Sequence, residues 1–371
     1  MTARHEALIV GGGIVGAACA LHLAQRGVRA LVLESDFVGS GATAAGMGHL
    51  TVMDDSPSQF ALSSHSCRLW SDLAEEHGLS WEDDPCGTLW VAADEEDLSL
   101  VASKAAFYRD QGLLAEELSA DELLRVEPEL RPGLGGGLLV PGDRVIYAPK
   151  AVRWLMDQAV AHGAEVREGI RVESLEDRRA VCDSGSFEAD VVILAAGTHS
   201  TRMLPSLPLE PRKGHLVITD RYPGFCRHQI LELGYLKSAH EMSSESVAFN
   251  VQPRATDQVL IGSSRELVGW NNDINRDLVD AMVERAIEYM PRLAALSVLR
   301  IWTGFRPASR DNLPFIGRWE PIDGLWIAAG HEGLGITTSL ATGELLADLI
   351  VGRQPALDPG PFDPMRVVGE L

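Results

Sequence analysis

The sequence predicts an α/β fold: a Rossmann-like domain, discontinuous along the chain, with an inserted α+β domain built on an antiparallel sheet. Three observations carry this. The apolar run Ala7–Val10 stops at Gly11, and a second run, Ala30–Leu33, follows after a helical pattern, which makes a βαβ opening with tight connections. Similar strand and helix patterns recur in the middle and at the end of the chain. Between them, from about Arg212, the segments 214–219, 246–252 and 258–262 alternate or gather β-branched and apolar residues, as antiparallel strands with one covered face do.

The elements follow in order. Val15 to Arg26 keeps a helical pattern and is closed by Gly27. Ser56-Pro57 starts a helix that runs to about Gly78 and turns Phe60, Trp70 and Leu73 inward. Ser119 and Glu122 have capping-box spacing. Leu130 to Gly142 is rich in glycine and proline and reads as a boundary. Beyond it come a helix over Pro149–His162, a strand over Glu165–Arg167 and a buried strand over Asp190–Ala195 that enters A-A-G-T. Asn275 caps a helix to about Met290; Leu325–Ala328 is the last buried strand, and Ile336 to Val351 the last helix. These elements divide the chain into a nucleotide domain (1–82, 142–211, 306–371) and a substrate domain (83–141, 212–305).

Composition narrows the function. The 371 residues carry a net charge of −21, which repels phosphate backbones and argues against nucleic acid or anionic membrane as partners. Five cysteines with no C-x-x-C spacing suggest no zinc site, iron–sulfur cluster or disulfide framework, so no metal is expected. The first residues lack a basic, then long apolar, segment; neither a signal peptide nor a membrane span is expected, and the cytoplasm is the expected location.

Two glycine-rich turns and one loop carry chemistry. Gly11, Gly12, Gly13, Ile14, Val15 and Gly16 form G-x-G-x-x-G between a strand and a helix. In that context Gly11 makes the tight turn, Gly13 lets the backbone approach a pyrophosphate, and Gly16 lets helix and strand pack closely. Glu34, beside Ser35, ends the second strand, where a carboxylate accepts ribose hydroxyls. The loop from Gly39 includes Ala42, Thr43, Ala44, Ala45, Gly46, Met47 and Gly48, small residues able to lie against a ribityl chain or a flavin ring. Val172 follows the mid-chain strand, where its backbone can meet an adenine edge or the side chain can simply be buried. Ala196 and Gly197 close the A-A-G-T turn. The last turn carries Gly330, His331, Glu332, Gly333, Leu334, Gly335, Ile336 and Thr337 between a strand and a helix; backbone donors and the helix dipole there suit an electron-rich cofactor edge.

The amino-terminal fingerprint, the 39–48 loop, D-V-V-I-L-A-A-G-T at 190–198, P-R-K-G-H at 211–215 and G-F-R-P-A-S-R-D-N-L-P-F-I-G at 304–317 carry a resemblance over nearly the whole chain. The sequence resembles the FAD-dependent amino-acid oxidoreductases related to D-amino-acid oxidase, glycine oxidase and sarcosine oxidase. Within that family, A-A-G-M-G-H-L-T-V-M-D-D, L-I-G-S-S-R-E and G-H-E-G-L-G-I-T-T look most like bacterial D-hydroxyproline dehydrogenases and catalytic subunits of related heteromeric dehydrogenases. Opine oxidases and hydrogen cyanide synthase subunits are close alternatives.

The resemblance implies FAD as cofactor and oxidation of the C–N bond of a small amino acid, such as D-hydroxyproline or D-proline. The reaction is hydride transfer to flavin N5 that leaves an imine. It also implies a carboxylate-binding arginine, which falls on Arg306, with an internal ion pair to Asp311 as the bland alternative; Arg310 is left open. His49, His331 and Glu332 fall in loops that the family places by the flavin, as catalytic or as structural groups. A second substrate arginine of glycine oxidase aligns with Gly333, and 302–309 holds no cysteine, so the FAD is expected to be non-covalent. The implied partners are the amino-acid substrate and, in an oligomer, other redox subunits or an electron carrier. The alternatives are a glycine/sarcosine-type or opine oxidase, an FAD-binding subunit without chemistry, and an NAD-dependent dehydrogenase.

Overall fold

Four apolar residues in a row, Ala7–Val10, are buried on both faces and form the centre of a parallel sheet. The computed structural model describes residues 5–183, 185–233 and 245–367. The sheet runs in the order Phe315–Arg318, Leu325–Ala329, Val191–Leu194, Ala7–Val10, Ala30–Leu33, Glu165–Arg167, and only its first strand is antiparallel to its neighbour. The helices Ile14–Gln25, Ala148–Ala161 and Ser339–Val351 cover one face, and their apolar sides join one core with Ile9, Val32 and Ile193. A three-stranded antiparallel sheet, Val172–Glu176, Arg179–Cys182 and Gly185–Glu188, covers the other face around Leu8, Leu31 and Leu194.

The second large sheet has eight strands, in the order Val298–Ser309, Leu209–Arg221, Gln258–Glu266, Glu245–Pro253, Gln229–Glu232, Thr88–Ala92, Gly136–Val140, Glu116–Ser119. All neighbours are antiparallel except Gln229–Glu232 with Thr88–Ala92, which is parallel. The helix Arg276–Tyr289, capped by the Asn275 side chain, packs Val279, Met282 and Ala286 on one face. The helix Glu95–Asp110 packs Val101, Ala105 and Tyr108 on the other. Positions 211/212 and 305/306 fall inside the two longest strands, which stay paired from Leu209↔Ser309 to Thr219↔Val298. These two strands form one long ribbon at the edge of the second sheet.

Several expectations take a different form in the structure. The stretch expected to be a boundary holds the strand Gly136–Val140, because a side chain at Gly137 would run into the Trp90 carbonyl of the neighbouring strand and glycine permits that close approach. The last helix starts at Ser339, with Glu332–Leu334 as a short 3₁₀ turn, so the turn after Ala329 is longer than the apolar pattern implied. The Pro57–His77 helix is capped by the Ser56 side chain, and the Ser119–Glu122 capping box forms. Among the described residues no helix is long and apolar enough to cross a membrane.

Candidate active site

The strand–helix turn at Gly11–Gly16, the 39–48 loop, the start of Val172–Glu176, the Thr303–Pro307 segment and the 328–336 turn surround one cavity of about 900 Å³. That is at the upper end of the roughly 300–1,000 Å³ typical of ligand and cofactor sites. A smaller cavity of about 90 Å³ lies against it, and the two share His49, Asn250, Glu332 and Gly333. Gly11, Gly13, Ile14, Val15, Glu34, Ser35, Ala42, Thr43, Ala45, Gly46, Met47, Gly48, Val172, Ala196, Gly197, His331, Glu332, Gly333, Gly335 and Ile336 all line the large cavity. Leu334 lines the small one. Gly12, Gly16, Ala44, Gly330 and Thr337 line neither.

Local contacts explain the wall. Glu34, at the end of its strand, accepts the Gly12 N–H at 2.6 Å and the Asp36 N–H at 2.9 Å, which holds its carboxylate at the cavity edge. A Cβ at Gly16 would overlap the Gly11 carbonyl oxygen, whereas one at Gly13 would meet nothing nearer than Thr43 Oγ1 at 3.4 Å. The protein therefore leaves open space at Gly13, and the Ile14 N–H is met by Thr43 Oγ1 at 3.0 Å. A turn open at that glycine, a helix amino terminus and a nearby buried carboxylate fit a dinucleotide. The 39–48 loop is fixed from the second sheet: Gln252 Nε2 donates to the Met47 carbonyl at 2.7 Å and Trp302 Nε1 to the Ala45 carbonyl at 3.2 Å. Thr337 Oγ1 donates to the His49 carbonyl at 2.8 Å, tying in the last turn.

Arg306 lies well inside the strand Val298–Ser309, in register with Arg212 and not at a strand end. Its Nη1 donates to the Ser264 carbonyl at 3.0 Å, and the side chain runs across Gly214, where a Cβ would overlap it. The ion pair with Asp311 does not form: Asp311 holds Arg366 at 2.8 Å. Arg310 is exposed and lines neither cavity.

The three other expected groups differ from one another. His49 is half-buried between the cavities, and its buried Nε2 has no hydrogen-bond partner among the described residues. Burial, aided by the Arg306 charge and opposed by Gln252, pushes it down to about 4, so the ring is neutral near pH 7. His331 is pushed to about 3 by burial alone, and its Nε2 meets Thr342 Oγ1 at 3.0 Å, a contact that holds the turn to the last helix. Glu332 Oε1 lies 3.4 Å from Arg212 Nη1 and 4.0 Å from Arg265 Nε.

Sequence reasoning missed Thr51, Gln229, Asn250, Arg212 and Arg265, which line the small cavity with Met53, Trp90 and Leu231. Arg212 had a signal: strand alternation puts 212, 214 and 216 on one face, and Gly214 and Leu216 line the large cavity. Thr51 and Arg265 lie inside the segments A-A-G-M-G-H-L-T-V-M-D-D and L-I-G-S-S-R-E without standing out there, and Gln229 and Asn250 sit on strands with no motif of their own.

A family model described as FAD dependent oxidoreductase matches residues 6–349. Glycine oxidase of Geobacillus kaustophilus (strain HTA426) is 29% identical, over 100% of this chain and 99% of that protein. The crystal structure of glycine oxidase from Geobacillus kaustophilus superposes with a TM-score of 0.88 at 28% identity, covering 98% of this chain and 99% of the other. L-proline dehydrogenase from P. horikoshii shares the fold, with a TM-score of 0.89 at 23% identity over 99% of this chain and 98% of the other. A cavity wall that fits a dinucleotide, a fold shared along the whole chain and a family match over residues 6–349 lead to one conclusion: the chain belongs to the family of FAD-dependent oxidoreductases.

Proposed function

We propose that the chain oxidises the C–N bond of a small amino or cyclic imino acid, with D-hydroxyproline or D-proline as the best substrates. The observation that carries this is Arg306, whose guanidinium lies on the cavity wall within the Thr303–Pro307 segment, with the small cavity adjoining. A guanidinium fork matches a carboxylate with two parallel hydrogen bonds. The adjoining space of about 90 Å³ has Met53, Trp90, Leu231 and Leu334 on its walls beside polar groups such as Thr51, Gln229 and Asn250, which suits a small ring that carries a hydroxyl and which glycine has no side chain to fill.

In this reading the Gly11–Gly16 turn cradles the FAD pyrophosphate, Glu34 takes ribose hydroxyls, Val172 borders the adenine, and the 42–48 and 330–337 segments border the ring system. FAD, held there without a covalent link, would supply the two-electron acceptor for the hydride of the substrate α-carbon; the protonated imine so left gives up its N–H proton to become the imine. Arg306 binds and orients the substrate carboxylate. Neutral His49 and the apolar walls keep the reacting carbon away from water, and positioning carries the catalysis. All five cysteines are free, which supports work in a reducing compartment such as the cytoplasm. The net charge of −21 suits docking of a basic electron carrier or partner subunit, and comparing peroxide yield with dye reduction separates oxidase from dehydrogenase.

The test is anaerobic reduction of the bound flavin by a panel of D- and L-amino acids, glycine, sarcosine and opines. D-Hydroxyproline or D-proline is expected to bleach it fastest. Fastest bleaching by sarcosine would overturn the substrate choice, and a flavin that no amino acid bleaches would favour a binding subunit without chemistry.

A further inference from the structure

Glu332 brings one of the protein's own carboxylates into the place where the two cavities meet. Arg212 Nη1 lies 3.4 Å from its Oε1 and Arg265 Nε 4.0 Å, while its Oε2 accepts the Gly333 N–H. Arg306 adds a third positive charge nearby. Burial raises the carboxyl's proton affinity, but Arg265, Arg306 and Arg212 together outweigh it and hold the group below the ordinary carboxylate range. Its backbone has φ of +49°, a left-handed conformation that a glutamate adopts only where its surroundings fix it. Arg212, Arg265 and Glu332 line the small cavity, and Arg306 lines the large one.

We infer that Glu332 is a specificity-determining residue: it occupies the position of a second substrate carboxylate and so excludes dicarboxylic amino acids. The inference rests on the reading that Arg306 takes the α-carboxylate. A substrate with one carboxylate binds Arg306 and puts an uncharged side chain into the small cavity. A second carboxylate entering that cavity meets Glu332 at close range, away from bulk water, and finds Arg212 already engaged. Like charges brought together in such a site are strongly unfavourable. Asp55, on the same wall, has contacts of its own and adds to the exclusion.

The experiment uses FAD-replete Glu332→Gln, which keeps the shape and removes the charge. Binding of glutarate and of butyrate, neither of which can be oxidised as an amino acid, is followed by calorimetry. Glutarate affinity is expected to rise about tenfold or more, with butyrate affinity changing by less than about threefold. The ratio of kcat/KM for glutamate to that for proline, measured with the faster enantiomer of each, is expected to rise by a similar factor. Unchanged glutarate binding overturns the inference, and so does an equal gain for both acids, which would mean a general change in charge. If Glu332→Gln does not hold FAD, Glu332→Asp, whose charge is drawn back by one methylene, is expected to give the same change at smaller size; no gain there also overturns it. The two readings fail separately. Wild-type flavin that no amino acid reduces sinks the oxidation reading, while the glutarate titration still decides the role of Glu332.

Discussion

Arg212 pairs in register with Arg306 across two antiparallel strands; Arg212 lies 3.4 Å from the Glu332 carboxylate, and the Arg306 charge acts on the same carboxylate. Like charges directly opposite each other destabilise a sheet unless something offsets them. Glu332 offsets part of this positive charge, and the remainder is available to a carboxylate ligand.

Arg306→Ala is therefore expected to lower kcat/KM for the amino-acid substrate by about 30-fold to 3,000-fold, from a loss of roughly 2–5 kcal/mol for one partner of a desolvated pair. Arg306→Lys keeps the charge without the fork and is expected to fall in between. Flavin content and thermal stability are expected to stay near wild type, because Asp311 is held by Arg366 and does not depend on Arg306. Turnover within about threefold of wild type in a folded, FAD-replete variant would show that Arg306 is not the anchor.

Two glycines of the first turn are expected to respond differently. Gly16→Ala places a methyl group in the Gly11 carbonyl, so helix and strand must separate, and little folded protein is expected. Gly13→Ala meets only Thr43 Oγ1 at 3.4 Å, so the chain folds, but the methyl group stands where the pyrophosphate approaches. Its melting temperature as apoprotein is expected to match wild type while FAD affinity drops by about tenfold or more. Full FAD affinity in Gly13→Ala would place the pyrophosphate elsewhere.

The flavin is expected to leave the protein on acid precipitation. Among the described residues lining the large cavity none is a cysteine, and 302–309 contains none either. A yellow supernatant is the expected outcome. A yellow pellet that survives washing would mean a covalent link.

Stability is expected to fall as the pH drops from about 6.5 towards 4. Burial pushes His22 and His49 to about 4 and His331 to about 3. In that window the unfolded chain binds protons at these rings and the folded chain does not, so acid favours unfolding. Asp143, pushed up to about 7 by burial, acts in the opposite sense: it keeps a proton that the unfolded chain has released. Three rings against one carboxyl leave a net loss towards acid. Melting temperatures across the window test this in wild type and in His22→Gln, whose residue lines neither cavity. His22→Gln is expected to flatten the profile, and an unchanged slope would remove His22 from the account.

The parts legible in sequence were those where one residue type has little choice. Gly11, Gly13 and Gly16 follow from the space around a strand–helix turn, and Ser56 and Ser119 from the need of helix amino termini for a cap. Gly137 misled for the same reason, since close approach to Trp90 inside a sheet looks in sequence like a turn. Thr51, Gln229 and Asn250 were not legible because they come from separate strands and loops, and only the pairing of distant segments brings them to one wall. The Asp311 partner was hidden similarly, 55 positions away at Arg366.

The long pairing of Leu209–Arg221 with Val298–Ser309 has a mechanical consequence. It acts as a beam within the second sheet: it carries Arg306 along its length, and its middle is fastened to the 39–48 loop through Trp302 and the Ala45 carbonyl. Swinging one sheet away from the other, as a clamshell opens, would instead break the bonds from Trp302 to the Ala45 carbonyl and from Gln252 to the Met47 carbonyl, which fasten the second sheet to the 39–48 loop. Substrate must then reach Arg306 by local movement of side chains and turns at the rim, and the spacing between Arg306 and the loop that borders the flavin stays the same from one turnover to the next.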